Sequence, residues 1–300
     1  MSAPRLPGRG LAAAATAFTI WGLFPLYLYP LRSVPAPQII AHRIVWSCLF
    51  ILAWMLVRGE LGRLTGIFER PRLVSRLALS AFLITSNWLV YVWGVTHGHI
   101  VDTSLGYYIN PLVNVLLGVL VLHERLNARQ WLAVALAGVA VAYLTWLAGH
   151  PPWIACTLAV SFSLYGFVRK VISVDALPGL AVETLLLVPF ALAFLIACVY
   201  TGSGTFGHAA AHVNLLLVGS GLVTAVPLCL FAYGARALPY STVGVLQYIG
   251  PTLQLLCGVL LLHEPFTPAR AVGFALIWAA LAIYAADGLW TARSARLARA

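Results

Sequence analysis

The sequence predicts an all-α integral membrane protein with ten transmembrane helices, built as two inverted five-helix repeats with both termini in the cytoplasm. Three observations lead to this prediction. The chain contains ten apolar runs, each close to the length that crosses a lipid bilayer as a helix. Its second half repeats its first at a spacing of 140 residues, and its basic residues are concentrated in alternate loops.

The composition excludes a soluble globular domain. Hydrophobic residues make up 62% of the 300 residues and charged residues only 9%, whereas about a quarter of a typical soluble domain is charged. The cysteines are odd in number, form no Cys-x-x-Cys pair and all lie in apolar runs: Cys48, Cys156, Cys198, Cys229 and Cys257. A disulfide framework, a metal site and a cofactor are therefore not predicted.

The apolar runs place the ten spans, each near the roughly 20 residues that cross a bilayer about 30 Å thick. The predicted spans are 10–30, 38–57, 73–95, 102–122, 128–148, 152–169, 178–200, 212–234, 242–262 and 268–289. Arg5 and Arg9 precede a first run that is too long for the core of a typical signal peptide, so we expect the first helix to be retained. Between the spans, only 58–72 and 201–211 have the length of a loop.

The distribution of Lys and Arg sets the orientation, because loops that stay in the cytoplasm are enriched in these residues. With the N-terminus inside, only Arg32 and Arg270 face outward. Fifteen basic residues face the cytoplasm: Arg5, Arg9, Arg58, Arg63, Arg70, Arg72, Arg76, Arg125, Arg129, Arg169, Lys170, Arg236, Arg293, Arg296 and Arg299. The net charge of +10 is explained by topology and by attraction to anionic lipid, so no nucleic-acid partner is predicted.

The internal repeat is clearest where Leu105–Glu124 aligns without a gap on Val245–Glu264, with ten of twenty positions identical. The identities include a proline, a glycine and a closing His-Glu pair. We predict repeats over 8–148 and 152–290. Because each repeat holds an odd number of spans, the second enters the membrane from the opposite side, as in many secondary transporters.

Polar residues at helical spacing mark a candidate site in the fourth and ninth spans. Pro111 and Pro251 interrupt backbone hydrogen bonding and are the predicted hinges. A polar stripe shares one helix face around each proline: Tyr107, Asn110 and Asn114 in the fourth span, and Gln247, Gly250 and Gln254 in the ninth. We predict that these stripes line a solute cavity. Hydrogen bonding between neighbouring helices is the alternative.

Further candidates are ionisable or aromatic residues deep in the spans. Arg43 and Glu183 occupy equivalent positions of the two repeats. Intramembrane charges face a cavity or a partner by default, and a desolvated Glu183 is a candidate proton carrier. The alternative is a structural pair, or a side chain that reaches the interface. The remaining predicted cavity residues suit either a planar solute or ordinary packing: Trp21, Trp46, Asn87, Tyr91, Tyr165 and Tyr248.

Several segments together resemble the RarD branch of the EamA family, within the drug/metabolite transporter superfamily. The segments are WGLFPLYLYPL, AHRIVWS, NWLVYVWGV, SLGYYINPLVNVLLGVLVLHERL, LYGFVRK, ETLLLVP and QYIGPTLQLL, and the resemblance covers residues 8–290. It implies ten helices in two inverted repeats, a bacterial inner-membrane location and transport without ATP. The chain departs from this family at His123 and His263, where the family often has glycine.

The predicted function is secondary transport of a small organic solute, such as an amino acid, metabolite or drug, by alternating access around a midplane cavity and in the direction of export. A facilitative, channel-like permease is the alternative. No HExxH, GxSxG or nucleotide-binding loop is present in the sequence, so an enzyme is not predicted. The predicted partners are the solute, the lipid bilayer and, as a candidate coupling ion, the proton. The sequence does not indicate an oligomer.

Overall fold

The computed structural model describes residues 7–122, 126–238 and 246–297, and these ranges contain helices and no strands. The first half of the chain supplies α1 (Pro7–Gly22), α2 (Phe24–Leu28), α3 (Ala36–Val57), α4 (Gly62–Phe68), α5 (Pro71–Thr96), α6 (Ile100–Leu122) and α7 (Ala128–Ala148). The second half supplies α8 (Trp153–Val171), α9 (Ala176–Tyr200), α10 (Ala211–Ala237), α11 (Ile249–Leu256) and α12 (Pro268–Leu297).

Several of these helices have the length and apolarity of membrane spans. Within the described ranges, six helices are long and apolar enough to cross a membrane: α3, α5, α7, α9, α10 and α12. A seventh span is formed if α1 and α2, which are bent by 44° at a short break, are counted together. The chain is thus an all-helical protein with several transmembrane helices.

The first predicted span, 10–30, is not one continuous helix. Helix α1 ends at Gly22, and α2 begins at Phe24 after Leu23, whose ψ is 0°. Pro25 is the second residue of α2. A proline lacks the N–H that would bind the carbonyl four residues earlier, and its ring clashes with that carbonyl. The carbonyl in question is that of Trp21, so Pro25 accounts for the bend.

The two predicted hinge prolines differ in their surroundings. Helix α6 continues through Pro111 without a break in helical conformation, although the proline has no N–H to donate to the Tyr107 carbonyl. In the ninth predicted span the chain turns at Gln247–Tyr248, and α11 begins at Ile249. Gln247 lies four residues before Pro251, which is where a proline disrupts a helix. The start of this span, 242–245, lies outside the described residues.

Two further irregularities were not expected from the sequence. The connection 58–72, predicted as a loop, contains the short helix α4. A π-helical turn at Cys257–Leu261 follows α11, and His263 next to it has a φ of 55°. This left-handed conformation favours glycine. His123 and Glu124, which match His263 and Glu264 in the repeat, lie outside the described residues.

Several contacts between two helices have a corresponding contact between the helices at the same places in the other half. Helix α1 packs against α10 and α11, and its counterpart α8 packs against α5 and α6. Helix α3 packs against α10 as α9 packs against α5. Three further contacts join a helix to its own counterpart: α3 with α9, α6 with α11, and α7 with α12. Corresponding helices of the two halves therefore meet in the same pairs at the boundary.

Candidate functional site

The buried arginine of α3 lies at the boundary between the halves. Arg43 is 5% exposed, and its Nε donates a 2.7 Å hydrogen bond to Oγ1 of Thr224 on α10. Its guanidinium carbon lies 4.2 Å from the ring centroid of Trp88 and 4.9 Å from that of Phe24. We call Arg43, Phe24, Trp88, Tyr91, Tyr107 and Thr224 the Arg43 cluster.

Three tyrosines lie close enough to Arg43 to interact with it electrostatically: Tyr27, Tyr91 and Tyr107. The Tyr27 hydroxyl donates to the carbonyl of Leu216, and the Tyr107 hydroxyl donates to Oδ1 of Asn87 over 3.2 Å. The Tyr91 hydroxyl is buried and has no hydrogen-bond partner among the described residues, and the same holds for Nη1 of Arg43. Two donors of this cluster are therefore unused.

The buried glutamate of α9 has a different environment. Glu183 is 1% exposed, and Oε1 accepts a 2.6 Å hydrogen bond from Ser80 on α5. The same oxygen lies 3.5 Å from Nη1 of Arg169 on α8. Tyr165 lies near both charges. We call Glu183, Ser80, Arg169 and Tyr165 the Glu183 cluster; its charges are balanced within the protein.

A glycine on α9 makes room for this ion pair. A Cβ atom added at Gly179 would overlap the guanidinium of Arg169. Nη2 of Arg169 also donates to the Asp175 carbonyl over 3.4 Å. Arg169 therefore lies along the first turns of α9, and this position brings it to Glu183.

Arg43 and Glu183 do not form an ion pair with each other. Each contacts a hydroxyl on the third long helix of the other half, Thr224 for Arg43 and Ser80 for Glu183. The two contacted hydroxyls lie on corresponding helices, but Ser80 and Thr224 are not at matching positions of the 140-residue repeat. Their surroundings differ in one respect, because among the described residues Glu183 has an opposite charge beside it and Arg43 has none.

Two predicted cavity residues bind a neighbouring helix in this conformation. Asn87 Nδ2 donates to the Leu158 carbonyl and to Ser161 Oγ, at 3.0 and 2.9 Å. Asn110 Nδ2 donates to the Ala159 carbonyl at 3.2 Å and to Ser163 Oγ at 2.8 Å. These four acceptors all lie on α8. For both residues the geometry matches the alternative of hydrogen bonding between helices.

Asn114, the third residue of the stripe on α6, is exposed. Its Nδ2 donates to Oδ1 of Asn110 over 3.2 Å. This bond orients the Asn110 carboxamide toward α8. Asn114 is thereby connected to the helix contact rather than to the Arg43 cluster.

Gln254 joins α11 to the break in the first span. It is 4% exposed, and its Nε2 donates to the Trp21 carbonyl over 3.2 Å. Pro25 prevents that carbonyl from accepting its usual helical bond, so Gln254 replaces the missing donor. Oε1 of Gln254 is buried with no hydrogen-bond partner in the described ranges.

The remaining predicted residues are half-buried and more dispersed. The Trp21 ring contacts Phe18 and Phe231. Tyr248 stacks on Tyr108, with centroids 6.4 Å apart, and Gln247 lies in the turn before α11. Trp46 lies one helical turn after Arg43, and its buried Nε1 has no hydrogen-bond partner in the part of the chain described.

Glu264 holds the beginning of α6. Its two carboxylate oxygens accept hydrogen bonds of 2.7 and 2.8 Å from the backbone N–H groups of Ile100 and Val101. A carboxylate at a helix N-terminus satisfies donors that have no partner within the helix and is favoured by the helix dipole. Glu264, just after the ninth predicted span, is therefore hydrogen-bonded to the start of the fourth span.

A cavity of about 310 Å³ opens beside this contact and contains none of the predicted site residues. It lies between the ends of α6, α7, α8 and α12, and its polar lining includes His99, Asp102, His150 and Arg270. His99 Nδ1 lies 3.4 Å from Asp102. The cavity is thus separate from both charged clusters.

The sequence placed all of the candidate residues in one predicted cavity. In the structure Tyr91 and Tyr107 lie near Arg43, whereas Tyr165 lies near Glu183. Sequence reasoning missed Phe24, Trp88 and Thr224 as neighbours of Arg43, and Ser80 and Arg169 as partners of Glu183. The 140-residue spacing pairs Ser80 with Ser220, but Arg43 binds Thr224, one helical turn after Ser220. Nothing in the spacing of one helix identifies its partner on another.

Comparisons with known proteins agree with this architecture. The model of the family described as EamA-like transporter family matches residues 8–146 and 152–286. An uncharacterized transporter of Pseudomonas aeruginosa is 47% identical over 93% of this chain and 94% of the relative. Protein RarD of Escherichia coli (strain K12) is 42% identical over 95% of this chain and 96% of the relative. Protein RarD of Streptomyces exfoliatus is 43% identical over 96% of this chain and 91% of the relative.

One solved crystal structure has a similar fold, with a TM-score of 0.58 and 19% sequence identity over 93% of this chain and 97% of that chain. At this identity the likeness concerns the fold alone. The family match over most of the chain and the full-length relatives decide the identity. The chain belongs to the EamA-like transporter family, in its RarD branch, and is a multi-pass membrane transporter.

Proposed function

We propose that the chain is a secondary active transporter that exports a small organic solute across the bacterial inner membrane by alternating access. The observation that carries the proposal is the position of the buried charges. Arg43 and Glu183 both lie where the halves meet, and each is bound by a hydroxyl of the other half. Relative motion of the halves must therefore change both environments, as a transport cycle requires.

The proposal includes ten spans with both termini in the cytoplasm. The seven spans counted from length and apolarity are joined by α6, α8 and the segment that ends in α11. The matched helix contacts support two equivalent halves. Because each half then has five spans, the halves have opposite orientations, and the fifteen-to-two distribution of basic residues favours the orientation with the N-terminus inside.

The solute path lies between α3, α5 and α6 of the first half and α9, α10 and α11 of the second. The Arg43 cluster and Gln254 would contact the solute, because their unused polar atoms are buried at this boundary. The turn before Pro251 is the first candidate for flexing, since the helix is already interrupted there. Pro111 is the second, with its helix still continuous in this conformation.

Coupling to protons falls to Glu183 in this proposal. Its Oε2 is buried with no hydrogen-bond partner among the described residues. This oxygen can therefore take up a proton without the loss of an existing hydrogen bond. The neighbouring Arg169 favours the ionised form, and burial favours the neutral one. A motion that withdraws Arg169 would therefore promote proton uptake.

The test is counterflow by the full-length protein in proteoliposomes, with a panel of amino acids, amphenicols, organic anions and cationic dyes, with and without a pH gradient. Saturable counterflow that is lost in Gln254→Ala supports the carrier. Gln130→Ala, which changes a carboxamide at the start of α7 outside the proposed solute path, should retain the flux. Linear, unsaturable flux would instead support a channel-like permease.

Glu183→Gln separates coupling from binding in the same assay. The amide oxygen still accepts from Ser80, but the side chain no longer titrates. We expect solute counterflow to continue while the pH gradient ceases to drive accumulation. Accumulation at the wild-type level in this variant would remove Glu183 from proton coupling.

A further inference from the structure

We infer that Arg43 binds the carboxylate of the transported solute, which is therefore a small organic anion with a planar or apolar body. This inference rests on the proposed function and adds the chemical class of the solute. It depends on three observations about the Arg43 cluster: its unused donors, its unbalanced charge and its aromatic surroundings.

The unused donors match the acceptors of a carboxylate. Nη1 of Arg43 and the hydroxyl of Tyr91 are both buried without a hydrogen-bond partner in the described ranges, and the two groups interact electrostatically. The Tyr27 and Tyr107 hydroxyls already donate to protein oxygens. The free groups are thus both donors, and a carboxylate presents two oxygens to accept from them.

The charge of Arg43 has no carboxylate beside it in the described part of the chain. The acidic side chains near the helices bind elsewhere: Glu183 with Arg169, Glu264 with the backbone of α6, and Asp287 with Arg129 and Asn127. A buried charge without a partner is costly, and Arg43 is only 5% exposed. The countercharge is then best supplied by the solute.

The aromatic rings around Arg43 define the rest of the solute. Trp88 and Phe24 contact the guanidinium through their rings, and Tyr91 lies parallel to Phe24, with an angle of 7° between the rings. These contacts stabilise the cation partly and leave its N–H edge available. They also offer flat apolar surfaces to a planar body. A cationic solute is excluded, since it would face the arginine.

Access requires the motion in the proposed function. In this conformation the cluster is closed, and its hydroxyl contact, Thr224, belongs to the other half. Separation of α3 from α10 would expose Arg43 to one side of the membrane. The carboxylate of the solute would then replace the hydrogen bond that the guanidinium loses when Thr224 moves away.

The first experiment measures binding without transport. The purified full-length protein is heated in detergent with increasing phenylacetate, its neutral isostere phenylacetamide or the cationic phenethylamine, and the same series is repeated with the 1-naphthyl compounds. Ligands that bind only the folded state raise the unfolding temperature in a concentration-dependent way. We expect saturable stabilisation by the carboxylates and none by the amides or amines.

Variants then assign the effect to Arg43. Arg43→Gln should weaken carboxylate binding by about 30-fold, the loss expected for a charge-assisted hydrogen bond. Arg43→Lys keeps the charge without the planar fork, so it should bind at an intermediate level even if Arg43→Gln does not fold. Arg32→Gln is the matched control, because Arg32 is exposed and bonded to Tyr29.

The inference is overturned if neither carboxylate stabilises the wild-type protein, if the amides stabilise it equally, or if Arg43→Gln binds the carboxylates as the wild type does. Counterflow in proteoliposomes reports on the proposed function separately. Arg43-dependent carboxylate binding without counterflow would leave this inference standing and contradict the transport cycle. Counterflow restricted to neutral or cationic solutes, unchanged in Arg43→Gln, would contradict this inference and retain the transporter.

Discussion

Arg43 Nε donates to Thr224 Oγ1 over 2.7 Å, although the two residues are 181 positions apart and lie in different halves. The Thr224 hydroxyl in turn donates to the Ser220 carbonyl over 2.8 Å, which leaves a lone pair directed toward the guanidinium. Hydrogen bonds to charged groups are stronger than neutral ones, particularly where water is excluded. The second half therefore orients the charge of the first.

Removal of the Thr224 hydroxyl should reveal this dependence. Thr224→Val has nearly the same shape but leaves Nε of Arg43 without an acceptor, which should cost about 2 kcal/mol of stability. Thr224→Ser keeps the hydroxyl and should stay close to the wild type. Thermal unfolding of the purified protein in detergent measures both variants, and equal losses in the two would contradict the assigned hydrogen bond.

The ion pair between Arg169 and Glu183 should show strong coupling in a double-mutant cycle. Arg169→Gln leaves the buried carboxylate of Glu183 without its countercharge, at an expected cost of about 3 kcal/mol. Arg169→Gln combined with Glu183→Gln removes both charges and should recover most of that loss. The cycle is measured by chemical unfolding in mixed micelles, and additive effects would show that the pair contributes nothing specific.

Gly179→Ala should disturb the same ion pair by a steric effect, without a change to either charged residue. The added Cβ overlaps the guanidinium of Arg169, so the side chain must move away from Glu183, at a cost of about 2 kcal/mol. Gly166→Ala on α8 is the matched control, because nothing lies within 4 Å of its added Cβ. It should be neutral or slightly stabilising.

An Arg169→Ala background supplies a second check on Gly179→Ala. With the guanidinium gone, the overlap disappears and the cost of the added methyl group should largely vanish. The unfolding temperatures of the four proteins give the answer. A cost that persists without Arg169 would place the steric conflict elsewhere.

His263→Gly should stabilise the protein. His263 has a φ of 55°, and a side chain in this left-handed conformation costs about 1 kcal/mol relative to glycine. The gain in stability should be smaller than this, because glycine also makes the unfolded chain more flexible. The measurement is the thermal unfolding midpoint, with His212→Gly in α10 as a helical counterpart that should be destabilised. A lower midpoint for His263→Gly would mean that the imidazole makes a compensating contact.

The sequence predicts that Arg43 and Glu183 occupy equivalent positions, because the 140-residue spacing can be found by aligning the chain with itself. The helices also follow from apolar runs whose length is fixed by the bilayer. The partners of the two charges could not be predicted. Arg169 was assigned to the cytoplasmic end of a span, yet its long side chain extends along α9 to reach a buried carboxylate.

The sequence contains a local signal for the break after Gly22, but the length of the apolar run does not show it. Pro25 lies inside the first run, but hydropathy alone does not register the loss of an N–H group. For Asn87 and Asn110 the sequence left two roles open, since a carboxamide can face either a solute or a helix. The choice between these roles depends on which carbonyls of α8 lie opposite, and helix packing decides that.

The opposite charges at positions 43 and 183 make the two halves non-interchangeable. A chain assembled from two copies of the first half would have an arginine at both positions, and one assembled from two copies of the second half would have two glutamates. In the described part of the chain, Arg43 lies near tyrosines and no carboxylate, whereas Glu183 is paired with Arg169. In the proposed transport cycle, a solute would therefore meet a positive charge from the first half and a neutralised ion pair from the second.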